Sequence, residues 1–137
     1  MSKIKRTTRE HIKDYLYNYE WLEEEIKLIR ESIITPYIET DNNIGGGQSN
    51  IPASPDETKA IKLADNIRLT QLERMKWAID DVYKQMDDTG KTFMKLYYKE
   101  NYLTIDGVAM EIGVSPRTAK RLNTKIIIEI AERVGWH

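Results

Sequence analysis

The sequence predicts an all-α protein, and three observations carry that prediction. Apolar residues recur at helical spacing over two long stretches, one ahead of Pro36 and one running from Pro55 to about Met86. Helix-opening signatures stand at Thr7-x-x-Glu10, Ser54-Pro55-Asp56-Glu57, Thr104 and Ser115-Pro116. Helix-stopping glycines stand at Gly113 and Gly135. Together they predict a long helical hairpin over residues 1–87, followed by a C-terminal helix-turn-helix unit over residues 88–137.

In the first helix, Thr7 and Glu10 can form a capping box. Ile12, Tyr15, Tyr19, Leu22, Ile26, Ile29 and Ile33 then alternate steps of three and four, a heptad seam. Glu20, Glu23, Glu24, Glu25, Lys27, Arg30 and Glu31 lie between seam positions as a solvated face, and Pro36 ends the helix. Residues 35–54, rich in Gly, Pro and Asn, read as a loop that is long for a helix–helix connection. Its Gly45-Gly46-Gly47 run reads as a flexible turn rather than a phosphate cradle, because no strand leads in and no Gly-Lys-Ser/Thr follows.

The second long helix carries Leu72, Met75, Ile79, Val82 and Met86 on one seam. The same register traced backwards meets Arg68 and Asp65, so its first third is expected to pack through Ile61, Ala64 and Ile67. Two such helices joined by a loop suggest an antiparallel hairpin, a subunit interface, or both, and a homodimer or higher homo-oligomer is expected. Asp88-Thr89-Gly90 should break this helix and start a third, from Lys91 to about Glu100, with Phe93, Met94, Leu96 and Tyr97 as apolar positions and Tyr98 and Tyr102 nearby.

The stretch from Thr104 to Lys125 has the layout of a helix-turn-helix. Thr104 caps a short helix through Val108, Ala109 and Ile112, Gly113 ends it, and Val114 plugs the turn. Ala109 is small where two helices must cross closely. Ser115 and Pro116 open the second helix as cap and first residue. At about 100° per residue, Ala119, Leu122, Ile126 and Ile130 share an inward face. Arg117, Arg121 and Thr124 fall opposite, flanked by Thr118, Lys120 and Lys125. Guanidinium forks can grip guanine edges and Lys neutralises phosphate, so the expected DNA-binding residues are Ser115, Arg117, Thr118, Lys120, Arg121, Thr124 and Lys125. Lys95 or Lys99 would add phosphate contacts. This helix should continue to about Val134. Its Ile126-Ile127-Ile128 run is apolar right around, so either the long helices cover Ile128 or it faces a partner, the reading preferred here. The arrangement of support helix, turn and reader resembles, at the level of the motif, region 4 of bacterial sigma factors.

Composition narrows the function. With 40% hydrophobic and 31% charged residues over 137 positions, the chain is one soluble domain, or a small domain with a helical extension. A net charge of −1 argues against indiscriminate coating of nucleic acid, yet Lys91, Lys95, Lys99, Arg117, Lys120, Arg121 and Lys125 outnumber Glu100, Asp106 and Glu111 in their segment. A local basic patch in a near-neutral whole suits a site-specific binder. There is no cysteine, and the two histidines, His11 and His137, stand near opposite ends, so no metal site, cofactor or catalytic constellation is expected and the protein is not expected to be an enzyme. No apolar run approaches the ~20 residues of a membrane span, and the N-terminus lacks a signal-peptide core, so a cytoplasmic location in a bacterial host cell is expected.

Three runs, Glu31 to Gly47 (ESIITPYIETDNNIGGG), FMKLYYKENYLT and VSPRTAKRLNTKIIIEIAERVG, resemble the RinA-type transcriptional activators of phages and prophages of Gram-positive bacteria. The resemblance extends from about Tyr19 to Gly135, and the ITPYIETDNNIGG stretch is its most specific part. It implies activation of phage late genes for packaging and morphogenesis, with double-stranded DNA at the late promoter as the ligand; activation would then require contact with host RNA polymerase, by a surface the sequence does not mark. Arg117, Thr118, Lys120 and Arg121 carry the implied reader role. Two other readings stay open from the residues themselves. A small terminase subunit also joins a helix-turn-helix to oligomerising helices, and would form a ring. A helical adaptor would bind a protein partner and show no salt-dependent DNA binding.

Overall fold

Asn18 divides what the heptad seam reads as one helix. The computed structural model describes residues 4–34 and 55–137, and every regular element among them is helical. In chain order these are α1 (Arg6–Tyr17), α2 (Tyr19–Ile34), α3 (Pro55–Gln85), α4 (Asp88–Met94), a π-helical turn (Lys95–Glu100), α5 (Ile105–Ile112) and α6 (Pro116–Val134). Two compact units emerge, one formed by Met1–Leu22 with Arg74–His137 and the other by Glu23–Glu73. The expected loop, with its Gly45-Gly46-Gly47 run and the ITPYIETDNNIGG stretch, and the Ser54 cap lie outside the described residues.

The single first helix is therefore corrected to two. Asn18 turns both its backbone N–H (3.0 Å) and its side-chain amide (2.8 Å) onto the carbonyl of Asp14. A short polar side chain competing for a backbone acceptor is a known way to interrupt a helix. The break also shifts the seam. Ile12, Leu22, Ile26 and Ile29 are buried as expected, but Leu16 is buried where the heptad named Tyr15, which is half-buried. The Thr7–Glu10 capping box is not formed: α1 opens at Arg6 after an uncapped Lys5, and Thr7 already lies inside the helix.

In the first unit, α6 packs against α5 and α1, α4 packs against α5, and α1 also meets the π-helical turn. The core gathers Phe93, Met94 and Tyr98, Val108 and Ala109 from α5, and Ala119, Ile126, Ile127, Ile130, Ala131 and Val134 from α6. Met75, Ala78, Ile79 and Val82 supply the buried stripe of α3 in this unit. Polar ties accompany the burial. The Tyr19 hydroxyl donates to one Asp80 carboxylate oxygen, Lys76 donates to the other at 2.8 Å, and Arg133 donates to Asp81 at 2.8 Å.

In the second unit, Ile26, Ile29 and Leu72 are buried, and Arg30–Glu73 and Arg68–Glu25 ion pairs join α2 to α3. Here the expectation for the first third of α3 is overturned: Ile61 and Ile67 keep 59% and 51% of their area exposed, and Ala64 is exposed too. The buried stripe ends at Leu72 because the next seam position back is Arg68, which turns to Glu25.

The support helix begins earlier than its sequence suggests. Asp87, rather than the Asp88-Thr89-Gly90 break, caps α4 by accepting the Gly90 N–H at 2.8 Å. Gly90 is buried inside the helix, where a Cβ would come within 2.8 Å of the Met86 sulfur. The second half of the segment, Lys95–Glu100, widens into a π-helical turn that Asn101 closes from a left-handed backbone (φ 51°). Its N–H bonds the carbonyl of Leu96 at 3.1 Å. Phe93, Met94 and Tyr98 are buried, Leu96 and Tyr97 are half-buried, and Tyr102 is exposed.

Candidate nucleic-acid interface

The geometry of α5, the turn and α6 follows from local chemistry. The Thr104 side-chain oxygen accepts the Gly107 N–H at 3.1 Å and so satisfies one of the orphan donors of the first turn. Gly113 adopts φ 77°, its N–H bonding Met110 and the Val114 N–H bonding Ala109 at 3.0 Å. This paired closure is a Schellman motif, and it requires the left-handed residue that glycine supplies without strain. Ser115 then caps α6 through the Thr118 N–H at 3.1 Å, and Pro116 takes the first helical position. Ala109 and Ala119, both without exposed area, lie in the helices that pack together here. A second Schellman closure, from Trp136 to Ala131 at 2.9 Å, ends α6 at Gly135.

The faces of α6 sort as their angles suggest. Ala119, Ile126 and Ile130 are buried and Leu122 is half-buried, while Arg117, Thr118, Lys120, Arg121 and Lys125 are exposed. Arg117, Lys120 and Arg121 make no ion pair or hydrogen bond to a described side chain. They form a cationic strip with no described carboxylate in ion-pair contact. Lys125 differs, pairing with Glu129 at 3.9 Å. Ser115 is exposed, but its hydroxyl is engaged inside the cap, where it also donates to the Thr118 hydroxyl at 2.9 Å. Thr124 is half-buried and its hydroxyl accepts Arg9 of α1 at 2.7 Å. So the structure brings Arg117, Lys120 and Arg121 together on open surface and ties Thr124 to another helix.

Ile126 and Ile127 have no exposed area and Ile128 is half-buried, since α1 gives α6 a second packed flank. Among the support residues, Lys95 and Lys99 are exposed, whereas Lys91 is held over the Tyr83 ring at 5.8 Å. Behind the strip, Tyr98 donates its hydroxyl to Asn123 of α6 and packs edge-on to Tyr17 of α1 at 4.9 Å. Burial first, then the neighbouring Tyr17 and Tyr97, hold the Tyr98 hydroxyl well above the usual tyrosine range. α1 also meets the residues that follow α6: Trp136 packs on His11 at 4.9 Å, and Thr8 donates to the His137 carbonyl at 2.6 Å.

Nothing local in the sequence marks Arg9 or Asn123. Arg9 looks like one more base on a charged helix until the fold places it 115 residues away in sequence, against Thr124. Among the described residues no group of His, Asp and Glu could hold a metal ion, and no helix is long and apolar enough to cross a membrane.

Comparison with known proteins covers nearly the whole chain. The family described as "Protein of unknown function (DUF722)" matches residues 3–132. The chain is 30% identical to the transcriptional activator rinA of Staphylococcus phage phi11 over 132 residues, 96% of this chain and 94% of that protein. No solved structure matches.

Proposed function

This chain belongs to the DUF722 family, as a relative of the phage activator rinA, and from that premise we propose that it is a phage transcriptional activator that binds DNA. In this reading, α5 and α6 form a helix-turn-helix that lays α6 in the major groove of double-stranded DNA at a late promoter. Arg117 and Arg121 reach base edges and Thr118 assists. Lys120 and Lys125 hold phosphates, with Lys95 and Lys99 as outer contacts. Ser115 and Thr124 frame the reader helix from its cap and its middle. The observation that carries the reading is the strip of Arg117, Lys120 and Arg121, exposed on one capped helix and in ion-pair contact with no described carboxylate.

The DNA-binding part is assigned to residues 88–137, and residues 1–87 to holding two or more copies together as a homodimer or higher homo-oligomer. Two reader helices would then address a repeated or palindromic site. The genes controlled are the late packaging and morphogenesis genes, and activation proceeds through contact with host RNA polymerase.

The test is binding of the purified protein to its own phage's late promoter fragment and to a random fragment of equal length, across a salt series. The specific complex should survive salt that strips the random one, because base contacts add a component that counterion release does not supply. Equal weakening on both fragments would overturn sequence-specific reading, and a ring-shaped oligomer in sedimentation would favour a terminase-like subunit instead.

A further inference from the structure

Arg9 is half-buried, and its guanidinium has no carboxylate partner among the described residues. Arginine is rarely drawn out of water without an anion, because the desolvation cost is otherwise left uncompensated. Two acids on α1 and α6 are engaged elsewhere: Glu10 pairs with Lys13 at 3.8 Å, and Glu129 pairs with Lys125 at 3.9 Å and Arg133 at 3.6 Å. Among the described residues, the one hydrogen bond of the Arg9 side chain runs from Nη2 to the Thr124 hydroxyl, at 2.7 Å.

Thr124 lies one turn beyond Arg121 and two beyond Arg117, a spacing that places the three along one strip of α6. Arg9 therefore delivers a cation from α1 to the end of the strip that α6 builds by itself. A guanidinium has five donors in a planar fork, and Thr124 occupies only part of it. The remaining fork matches two oxygens of a phosphate, and the hydroxyl beside it can add a further hydrogen bond.

We infer that Arg9 and Thr124 form a binding site for a backbone phosphate of duplex DNA, which makes α1 part of the nucleic-acid interface. The inference rests on the DNA-binding reading above and extends it to a helix that the division at residue 87 assigned to oligomerisation. A phosphate contact positions the duplex without reading its sequence. Arg9 thus sets affinity and the register of α6 in the groove, while Arg117 and Arg121 set specificity.

The experiment compares the full chain with Arg9→Met, which keeps the aliphatic stem, and with Arg9→Lys, on the promoter and random fragments across a salt series. Losing one phosphate contact should reduce the slope of log Kobs against log salt by about 0.9 on both fragments. Arg9→Lys should restore the slope, and the ratio of specific to random binding should stay within about twofold in every variant. Thermal melting checks the fold, and Arg9→Gln is read in place of Arg9→Met if that variant melts below the assay temperature. An unchanged slope with weaker binding makes Arg9 only a tie between α1 and α6 and overturns the inference. Wild-type protein that discriminates the promoter while the Arg9 variants keep its slope sinks this site alone. Wild-type protein with no salt-dependent binding to either fragment sinks the DNA-binding reading, and this site with it.

Discussion

Arg121 stands where base readout and phosphate neutralisation make different demands on one guanidinium. It is exposed, on the strip that also carries Arg117. If it grips a base edge, Arg121→Ala should cost roughly 1–3 kcal/mol at the promoter site and distinctly less on random DNA. Titrations of both fragments at one salt concentration measure the difference, and equal losses would reduce Arg121 to a phosphate contact. Arg9 differs from Arg121 in that it is half-buried and already hydrogen-bonded to Thr124, so in the proposed site it is expected to meet a phosphate rather than a base. Ser115 and Thr118 are engaged with each other in the cap, so their hydroxyls shape the start of α6 before any ligand arrives.

At the scale of elements, the angle between α5 and α6 depends on the turn between them. Gly113 holds φ 77° with nothing within 4 Å of a hypothetical Cβ, so a substitution there meets backbone strain and no clash. Gly113→Ala should therefore lower stability by about 1–2 kcal/mol through the left-handed backbone alone. Urea unfolding of the full chain measures this, and a loss below a few tenths of a kcal/mol would mean that the turn relaxes to another geometry. The sequence makes this turn legible because cap, glycine and proline act within four residues of one another. The π-helical turn at Lys95–Glu100 is not legible in that way. It places Tyr98 against Asn123 and Tyr17, partners 25 residues later and in another helix, and no local signal encodes those contacts.

For the molecule as a whole, the first unit links its helices through tyrosines whose protonated form the folded state favours. Burial first, and the Asp80 carboxylate second, push Tyr19 up to about 12. Tyr17 and Tyr98 are held higher still, chiefly by burial. Lys76 is raised as well, with its hydrogen bond to Asp80 as the largest cause. A group whose folded pKa lies above its unfolded value adds stability that is fully present below the unfolded pKa, about 10 for tyrosine. That stability is lost as pH rises through the folded value. Resistance to urea should accordingly hold through neutral pH and fall from about pH 10 upward, with Tyr98→Phe showing a shallower fall. Unfolding midpoints at pH 7, 9, 10 and 11 test this, and a wild-type midpoint unchanged at pH 11 would show that the tyrosines ionise without disturbing the folded unit.

The all-helical class, the boundaries of α5 and α6 and the two faces of α6 follow from local chemistry along the chain. Caps, left-handed glycines and helical periodicity act over a single turn and need no tertiary partner. The tertiary structure decided the rest. It divided α1 from α2 at Asn18, left Ile61 and Ile67 exposed despite their helical spacing, and set Arg9 beside Thr124. Each of these depends on which surfaces meet once distant segments pack, and periodicity gives the face of a helix without naming what covers it.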